Sequence, residues 1–242
     1  MKEKQSIILF TLSESNPASE FAYYLSKRFE RKLIVLGTGD TEDDRLSVKP
    51  DVDFTEQIVR EFDPVMIVFS YSTANAVQRK HVRKILLAFR ELRIPYTGVS
   101  ENCNLPESIK RVTVPVGFLP EEKEKAPWSN SFIKYCGAEI TLLRPKDRGT
   151  RAAKNVLFIE KFLKNQKNSC TIADGEKSSF KIEFEALKKF TADTDMFIIS
   201  ASRAYGLDDN FFGPKEYHVL KKSEKPVMII NPRNDIYVLC GD

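Results

Sequence analysis

The chain has 242 residues, of which 42% are hydrophobic and 30% charged, as in an ordinary globular protein of one or two domains. A net charge of +4 is too small to indicate nucleic-acid binding, and no apolar run approaches the roughly 18 residues of a membrane span. Four scattered cysteines and two histidines suggest neither a disulfide framework nor a metal site. The first apolar run, Ile7–Leu12, is too short for a leader peptide, so we expect a cytoplasmic protein.

In the first half of the chain, apolar runs of strand type alternate with amphipathic helical patterns. Asn16 followed by Pro17 predicts a capped helix start, and apolar residues then recur at helical spacing as far as Phe29. The predicted strands are Ser6–Leu12, Leu33–Leu36, Leu46–Val48, Val65–Phe69 and Tyr96–Val99. The predicted helices are Pro17–Arg31, a segment from Phe54 to Phe62, and Asn75–Arg93. This alternation favours a parallel α/β sheet.

After a polar, linker-like segment, Glu101–Lys110, the same pattern begins again. The predicted strands are Val112–Val116, Ile140–Leu143, Ser169–Ala173, Met196–Ser200 and Val227–Ile230. The predicted helices are Pro127–Tyr135, Thr150–Lys164, Phe180–Phe190 and a segment around Tyr217–Leu220. The tail, Asp235–Cys240, is a candidate edge strand.

The two halves repeat one plan. FDPVMIVFSYS around Ser70 matches DTDMFIISAS around Ser200 at an offset of 130 residues, and RIPYTGV matches EKPVMII with Pro95 aligned to Pro226, an offset of 131. The first strands of the two halves are only 105 residues apart, so the first half lacks about one helix. The sequence therefore predicts two domains, residues 1–105 and 106–242.

The stretch Asp195–Arg233 holds the main candidate for a binding site. It comprises a strand, a glycine-bearing loop, a helix and a second strand, and ligands of such units usually lie beyond the carboxyl end of the first strand. The candidate contacts in the loop are Ser202, Arg203, Gly206 and Gly213. Asp174, after the preceding strand, is a candidate for the same crevice. The simpler interpretation, which we favour, is that the glycines permit tight turns and that Asp174 belongs to a plain turn.

Other suggestive residues have simpler explanations. The basic residues of the helix Asn75–Arg93 alternate with its apolar face, as on any solvated helix, and no aromatic platform is interleaved with them. Neither His81 nor His218 has a serine or cysteine and a carboxylate at triad spacing. The sequence thus predicts no catalytic residues, no nucleic-acid partner and no membrane partner.

The order of elements and the ending HVLKKSEKPVMIINPR resemble a tandem universal stress protein, more clearly in the second half. The resemblance implies an α/β fold with two tandem Rossmann-like (adenine nucleotide α-hydrolase-like) domains. Each would have a mostly parallel five-stranded sheet flanked by helices. It also implies that the halves associate as an intramolecular pseudo-dimer, with a homodimer as a further option.

ATP-binding members of that family carry an Asp at the end of the first strand and a G-x-x-G-x₉-G-[ST] loop after the fourth. The first-strand position here is Gly117 in the second half and falls around Thr11 or Leu12 in the first, and none of these is acidic. The loop has alanines in place of its first two glycines, is one residue short, and ends in Gly213 followed by Pro214, which lacks an N–H donor. The resemblance therefore implies that ATP binding is lost, with Gly117 as a further candidate contact for any nucleotide or anion.

Three functions remain. We prefer a non-enzymatic, universal-stress-protein-like stress-response protein that needs no cofactor and acts through an unidentified protein partner or a small ligand. The alternative is a nucleotide-binding sensor or slow ATPase that holds ATP or AMP in the second-half crevice. An enzyme of the wider nucleotide-hydrolase-like group is disfavoured, because no intact phosphate loop or catalytic set is present.

Overall fold

The computed structural model describes residues 5–11, 16–37, 60–90, 92, 94–147, 151–202 and 213–231. These residues form two compact units, the first from the described parts of Met1–Leu105 and Tyr205–Asn231, the second from those of Pro106–Ala204. The predictions for Leu46–Val48, for the helix before Arg60 and for the tail Asp235–Cys240 lie outside the described residues.

The first unit contains five strands and three helices. The strands are β1 (Ser6–Thr11), β2 (Lys32–Gly37), β3 (Pro64–Tyr71), β4 (Tyr96–Ser100) and β9 (Val227–Ile230). The helices are α1 (Pro17–Arg28), α2 (Ala76–Arg90) and α6 (Lys215–Lys222). The sheet order is β2-β1-β3-β4-β9, and its first four strands are parallel. β9 is antiparallel to β4, with Met228 opposite Thr97.

Side-chain caps begin two helices of this unit. The Asn16 side chain accepts the N–H of Ser19 at 3.0 Å, as predicted for the start of α1. At α2, Asn75 Oδ1 accepts the N–H of Gln78 at 2.9 Å, and Gln78 Oε1 accepts the N–H of Asn75 at 3.3 Å. This reciprocal capping box satisfies two backbone donors that the helix cannot satisfy itself.

An aromatic cluster forms the centre of the first unit. Phe69 of β3, Phe89 of α2 and Tyr96 of β4 are fully buried, with ring centroids 5.5 to 6.2 Å apart. Asn231, one residue past β9, donates from Nδ2 to the carbonyls of Phe89 and Leu92 at 2.7 and 2.6 Å. It thereby satisfies the end of α2 and ties β9 to this core.

The second unit contains four strands and three α-helices. The strands are β5 (Arg111–Pro115), β6 (Glu139–Arg144), β7 (Thr171–Asp174) and β8 (Met196–Ser200). The helices are α3 (Lys125–Cys136), α4 (Arg151–Asn165) and α5 (Ile182–Phe190), with short 3-10 helices at Pro120–Glu124 and Thr191–Asp193. All pairings in the order β8-β5-β6-β7 are parallel. Asp195, just before β8, helps to align β8 with β5, because its Oδ2 accepts the N–H groups of Lys110 and Arg111 at 2.8 Å each.

The predicted α/β class with a mostly parallel sheet flanked by helices is confirmed. Met196–Ser200 and Val227–Ile230 have the predicted bounds. The other elements predicted with a full range in the described part of the chain are found with ends that differ by at most three residues. Within the described ranges, no helix has both the length and the apolar character needed to cross a membrane.

Candidate functional site

The carboxyl edge of the parallel strands in the second unit is the natural place for a ligand, since open α/β sheets bind ligands beyond the strand ends. Three of the predicted contacts lie at this edge. Gly117 is two residues past β5, Asp174 is the last residue of β7, and Ser202 is two residues past β8. Gly213 belongs to the first unit. Arg203 and Gly206 lie outside the described residues.

A buried ion pair fills the space beyond β5. Lys125 Nζ lies 2.6 Å from Glu122 Oε2 and donates to the carbonyl of Pro115, also at 2.6 Å. Glu122 Oε2 in turn accepts the N–H of Gly117 at 2.7 Å. The side chains of Lys125 and Glu122 are 0% and 3% exposed. The free backbone groups at the end of this strand are therefore bound by the protein's own charged side chains.

The local sequence explains how the two charges meet. The 3-10 helix Pro120–Glu124 leads directly into α3, so Glu122 and Lys125 stand three residues apart on consecutive helical turns and face each other. From α4, Asn155 Nδ2 donates to the carbonyls of Gly117 and Leu119 at 3.1 and 2.8 Å. The loop after β5 is thus fixed by three polar side chains.

This arrangement also explains the glycine at position 117. A Cβ atom there would lie 3.3 Å from both Cδ and Oε1 of Glu122, which is tighter than ordinary van der Waals contact. An aspartate at this position would bring a second carboxylate beside Glu122. Gly117 therefore accommodates Glu122, and an acidic residue at this position would require the Glu122 side chain to shift.

Asp174 takes part in an ion pair across neighbouring strands. Arg144, its register partner on β6, contacts Asp174 Oδ1 through Nε and Nη2 at 2.7 Å each. The hydrogen bond to Asp174 raises the pKa of Arg144. These contacts account for Asp174 as a structural residue, without a ligand.

The loop after β7 has its amides occupied by a carboxylate of the chain. Glu185 of α5 accepts the N–H groups of Glu176 and Lys177 at 2.8 Å each and contacts Lys189 Nζ at 2.9 Å. Burial alone would raise the pKa of Glu185, but the amide of Glu176, the ammonium of Lys189 and the amide of Lys177 outweigh it and hold the pKa below its usual value. Successive amides of this kind can form an anion-binding nest, and here the anion is internal.

Gly213 has a structural reason to be glycine. Its φ of +87° lies in the left-handed region, and a Cβ atom would approach Tyr217 Cδ1 to 2.7 Å. The guanidinium of Arg83 lies 4.8 Å from the centre of the Tyr217 ring. The backbone turn and the packing of Tyr217 account for this residue without a ligand.

The site residues predicted from the sequence do not include Lys125, Glu122 or Asn155. The spacing of Glu122 and Lys125 suits an ion pair, but the surrounding run PEEKEK is typical of a solvated helix start, and nothing local signals burial. Among the described residues, no three metal-ligating side chains lie close enough to hold an ion.

No family model matches the sequence, and no curated protein matches it. The fold is nevertheless similar to that of a universal stress protein from Archaeoglobus fulgidus DSM 4304, with a TM-score of 0.63, 13% identity and coverage of 96% of this chain and 98% of that one. It is also similar to a functionally unknown protein from Pseudomonas aeruginosa PAO1, with a TM-score of 0.60, 14% identity and coverage of 97% and 95%. The first of these likenesses confirms the resemblance to universal stress proteins at the level of the fold.

Proposed function

We propose that this protein is a universal-stress-protein-like stress-response protein that binds a partner protein or a small ligand, does not bind ATP and catalyses no reaction. The fold supports the first part. The second part is carried by one observation, the buried pair of Lys125 and Glu122 beyond β5.

A triphosphate at this strand end would meet an unfavourable environment. The Gly117 amide and the Lys125 ammonium, which could stabilise a phosphate, are both bonded to Glu122. An incoming phosphate would have to displace that carboxylate, and a buried charge that loses its partner costs about 3 to 5 kcal/mol. The Glu122 carboxylate would also repel the phosphate.

We further propose that residues 1–105 and 106–242 are copies of one plan that associate as an intramolecular pseudo-dimer. The pairing of β4 with β9 supports this. The repeat aligns Pro95 with Pro226, which makes Thr97 and Met228 equivalent positions, 131 residues apart. These two residues lie opposite each other in the antiparallel pair. A two-fold axis requires this arrangement, since it places a residue of one copy against the same residue of the other.

Calorimetric titration and thermal-shift assays with ATP, AMP and cyclic AMP test the proposal. We expect no heat of binding and no rise in melting temperature for any of the three. Saturable binding of one nucleotide, abolished by Arg203→Ala, would instead establish the nucleotide sensor. Phosphate release from ATP that persists through exhaustive purification would show that the protein is an enzyme.

A further inference from the structure

Phe118 and Phe180 follow the carboxyl ends of β5 and β7 in the second unit, and a third phenylalanine, Phe158, lies midway along helix α4. Phe180, in the loop after β7, is 73% exposed; Phe158, on α4, is 44% exposed; and Phe118, after β5, is half-buried. Together with Lys123, Lys177 and Lys181 they form what we call the aromatic–lysine surface. A cluster of exposed rings is more informative than isolated apolar residues, because such patches commonly mark interaction sites.

Phe118 and Phe180 contact each other directly, and hydrogen bonds from α4 join the Phe118 segment to the helix that carries Phe158. The rings of Phe118 and Phe180 have centroids 4.9 Å apart. The carbonyls on either side of Phe118 accept hydrogen bonds from Asn155 of α4. Phe158 lies one helical turn after Asn155, and Lys123 Nζ is 5.1 Å from the centre of its ring.

The loop that carries Phe180 is firmly held. The preceding residue, Ser179, is 7% exposed and donates from Oγ to Asp147 Oδ2 at 2.8 Å. The amide of Lys177 is bonded to Glu185. Phe180 is therefore exposed on a rigid loop, and binding at this position would cost little ordering of the chain.

The lysines of this surface supply positive charge, whereas the neighbouring carboxylates of Asp147 and Glu176 are bonded to Ser179 and Lys189. Lys177 and Lys181 flank Phe180 in the sequence, both are exposed, and neither forms an ion pair with any residue that the structure describes. The ammonium of Lys123 lies on the Phe158 ring. An apolar centre with a charged rim is the usual composition of a protein-binding interface, and the sign of the rim selects an acidic partner.

The geometry favours a peptide over a nucleic acid. Single strands bind on successive ring faces that are free to stack with bases. Here the planes of Phe118 and Phe180 are inclined by 55°, and the Phe158 ring has Lys123 on it. The two rings pack against each other with centroids 4.9 Å apart, so together they present an uneven apolar surface on which a side chain packs better than a base stacks.

We propose that the aromatic–lysine surface binds an acidic segment of a partner protein, in which an apolar residue packs on the exposed ring of Phe180. This inference rests on the proposed function and specifies the chemistry of the partner. The lysines attract the acidic residues, and the rings bury the anchor.

The test uses the full-length chain and a fluorescein-labelled peptide in which aspartates and glutamates flank a central Leu-Phe pair. Fluorescence anisotropy should show binding with a Kd below about 100 µM. Phe180→Ala should weaken binding at least about tenfold, the effect expected of an interface anchor. Because Phe180 is 73% exposed, this variant should retain the wild-type melting temperature.

Matched controls are available in the first unit. Tyr23 of α1 is 58% exposed with Lys27 Nζ 5.1 Å from its ring centre, so Tyr23→Ala removes a similar ring from another place. Both this variant and the wild type should bind the peptide equally well.

The charge test compares two double substitutions. Lys177→Glu with Lys181→Glu should abolish peptide binding. The same charge change on α2, Lys80→Glu with Lys84→Glu, should leave most of the peptide binding intact. It is a fair control because both of these lysines are also exposed.

Several results would overturn the inference. They are absence of peptide binding, equal binding of a peptide with Ser-Ser in place of Leu-Phe, and equal loss in the control variants. The peptide could fail to bind while oligothymidylate, or phosphatidylcholine vesicles containing phosphatidylserine, bind in a way that depends on Phe180. That result would assign the surface to another class of partner. ATP binding in the calorimeter would refute the proposed function but not peptide binding, so the two failures are distinguishable.

Discussion

Substitution of Lys125 by methionine tests the buried ion pair directly. Methionine keeps most of the apolar stem of the side chain but removes the ammonium group. Glu122 would then remain buried as a carboxylate, still bonded to the Gly117 amide but without its cation. The carbonyl of Pro115 would also lose a donor.

The expected loss is large because neither charge of the pair is accessible to water. Removal of one partner from a buried ion pair costs about 3 to 5 kcal/mol of unfolding free energy. For a chain of this size, each kcal/mol lowers the melting temperature by about 2 to 4 °C, so Lys125→Met should melt roughly 10 °C below the wild type.

Urea unfolding followed by tryptophan fluorescence is a suitable assay. Trp128 is the only tryptophan of the chain and lies on α3, three residues after Lys125, so it reports on this unit. The matched control is Lys164→Met, which breaks the Lys164–Glu160 pair on α4. The charged atoms of that pair are 2.8 Å apart, against 2.6 Å in the buried pair, but Lys164 is 66% exposed. We expect no measurable change in the control, because water screens exposed pairs.

A second substitution separates charge from packing. Adding Glu122→Gln to Lys125→Met removes the buried negative charge that has lost the Lys125 ammonium and should recover at least half of the lost stability. Two outcomes would refute the reasoning. One is a Lys125→Met midpoint shift no larger than that of Lys164→Met, and the other is a double variant no more stable than the single one.

Three further predictions concern structural residues and are checked by urea midpoints. Gly213→Ala should destabilise the protein by about 2 kcal/mol or more, because an alanine there combines a strained positive φ with a close contact between its Cβ and Tyr217. The control is Gly137→Ala, which has φ +67° but no atom within 4 Å of the added Cβ and should cost only about 1 kcal/mol. Asn231→Asp should cost about 2 to 3 kcal/mol, because it places a carboxylate against the carbonyls that end α2. Because the pKa of Glu185 is lowered by folding, its ionised carboxylate stabilises the fold at pH values above the unfolded glutamate pKa of about 4.3. This stabilisation is lost as the pH falls through the folded pKa, so the urea midpoint of Glu185→Gln should depend less on acid pH than that of the wild type.

Each of these has a clear contrary result. Equal effects of the two glycine substitutions would show that Tyr217 does not crowd Gly213. An unchanged midpoint for Asn231→Asp would mean that its amide does not hold α2. Identical pH profiles for wild type and Glu185→Gln would show that the folded state does not favour the ionised carboxyl group.

The order of elements could be predicted because it depends on local pattern. Met196–Ser200 and Val227–Ile230 are uninterrupted apolar runs between polar segments, and Asn16 followed by Pro17 is a local helix start. These signals act over a few residues, and tertiary contacts did not override them.

The candidate site depended on contacts that the sequence does not express locally. Lys125 and Glu122 are buried beside the loop that contains Gly117. That loop is held by Asn155, which lies thirty residues after Lys125 in the sequence. The antiparallel pairing of Met228 with Thr97 joins strands that are 131 residues apart in the sequence, and the periodicity of either strand is equally compatible with a parallel neighbour.

The position of β9 has a consequence for synthesis of the chain on the ribosome. The first unit begins with β1 but is completed only by β9 and Asn231, so more than nine-tenths of the polypeptide must be translated before its sheet can close. Until then β4 presents unpaired N–H and C=O groups, and such an open edge is prone to intermolecular association. A ribosome that stalls before Val227 would release a nascent chain with this edge uncovered, which makes premature termination in that region a route to aggregation.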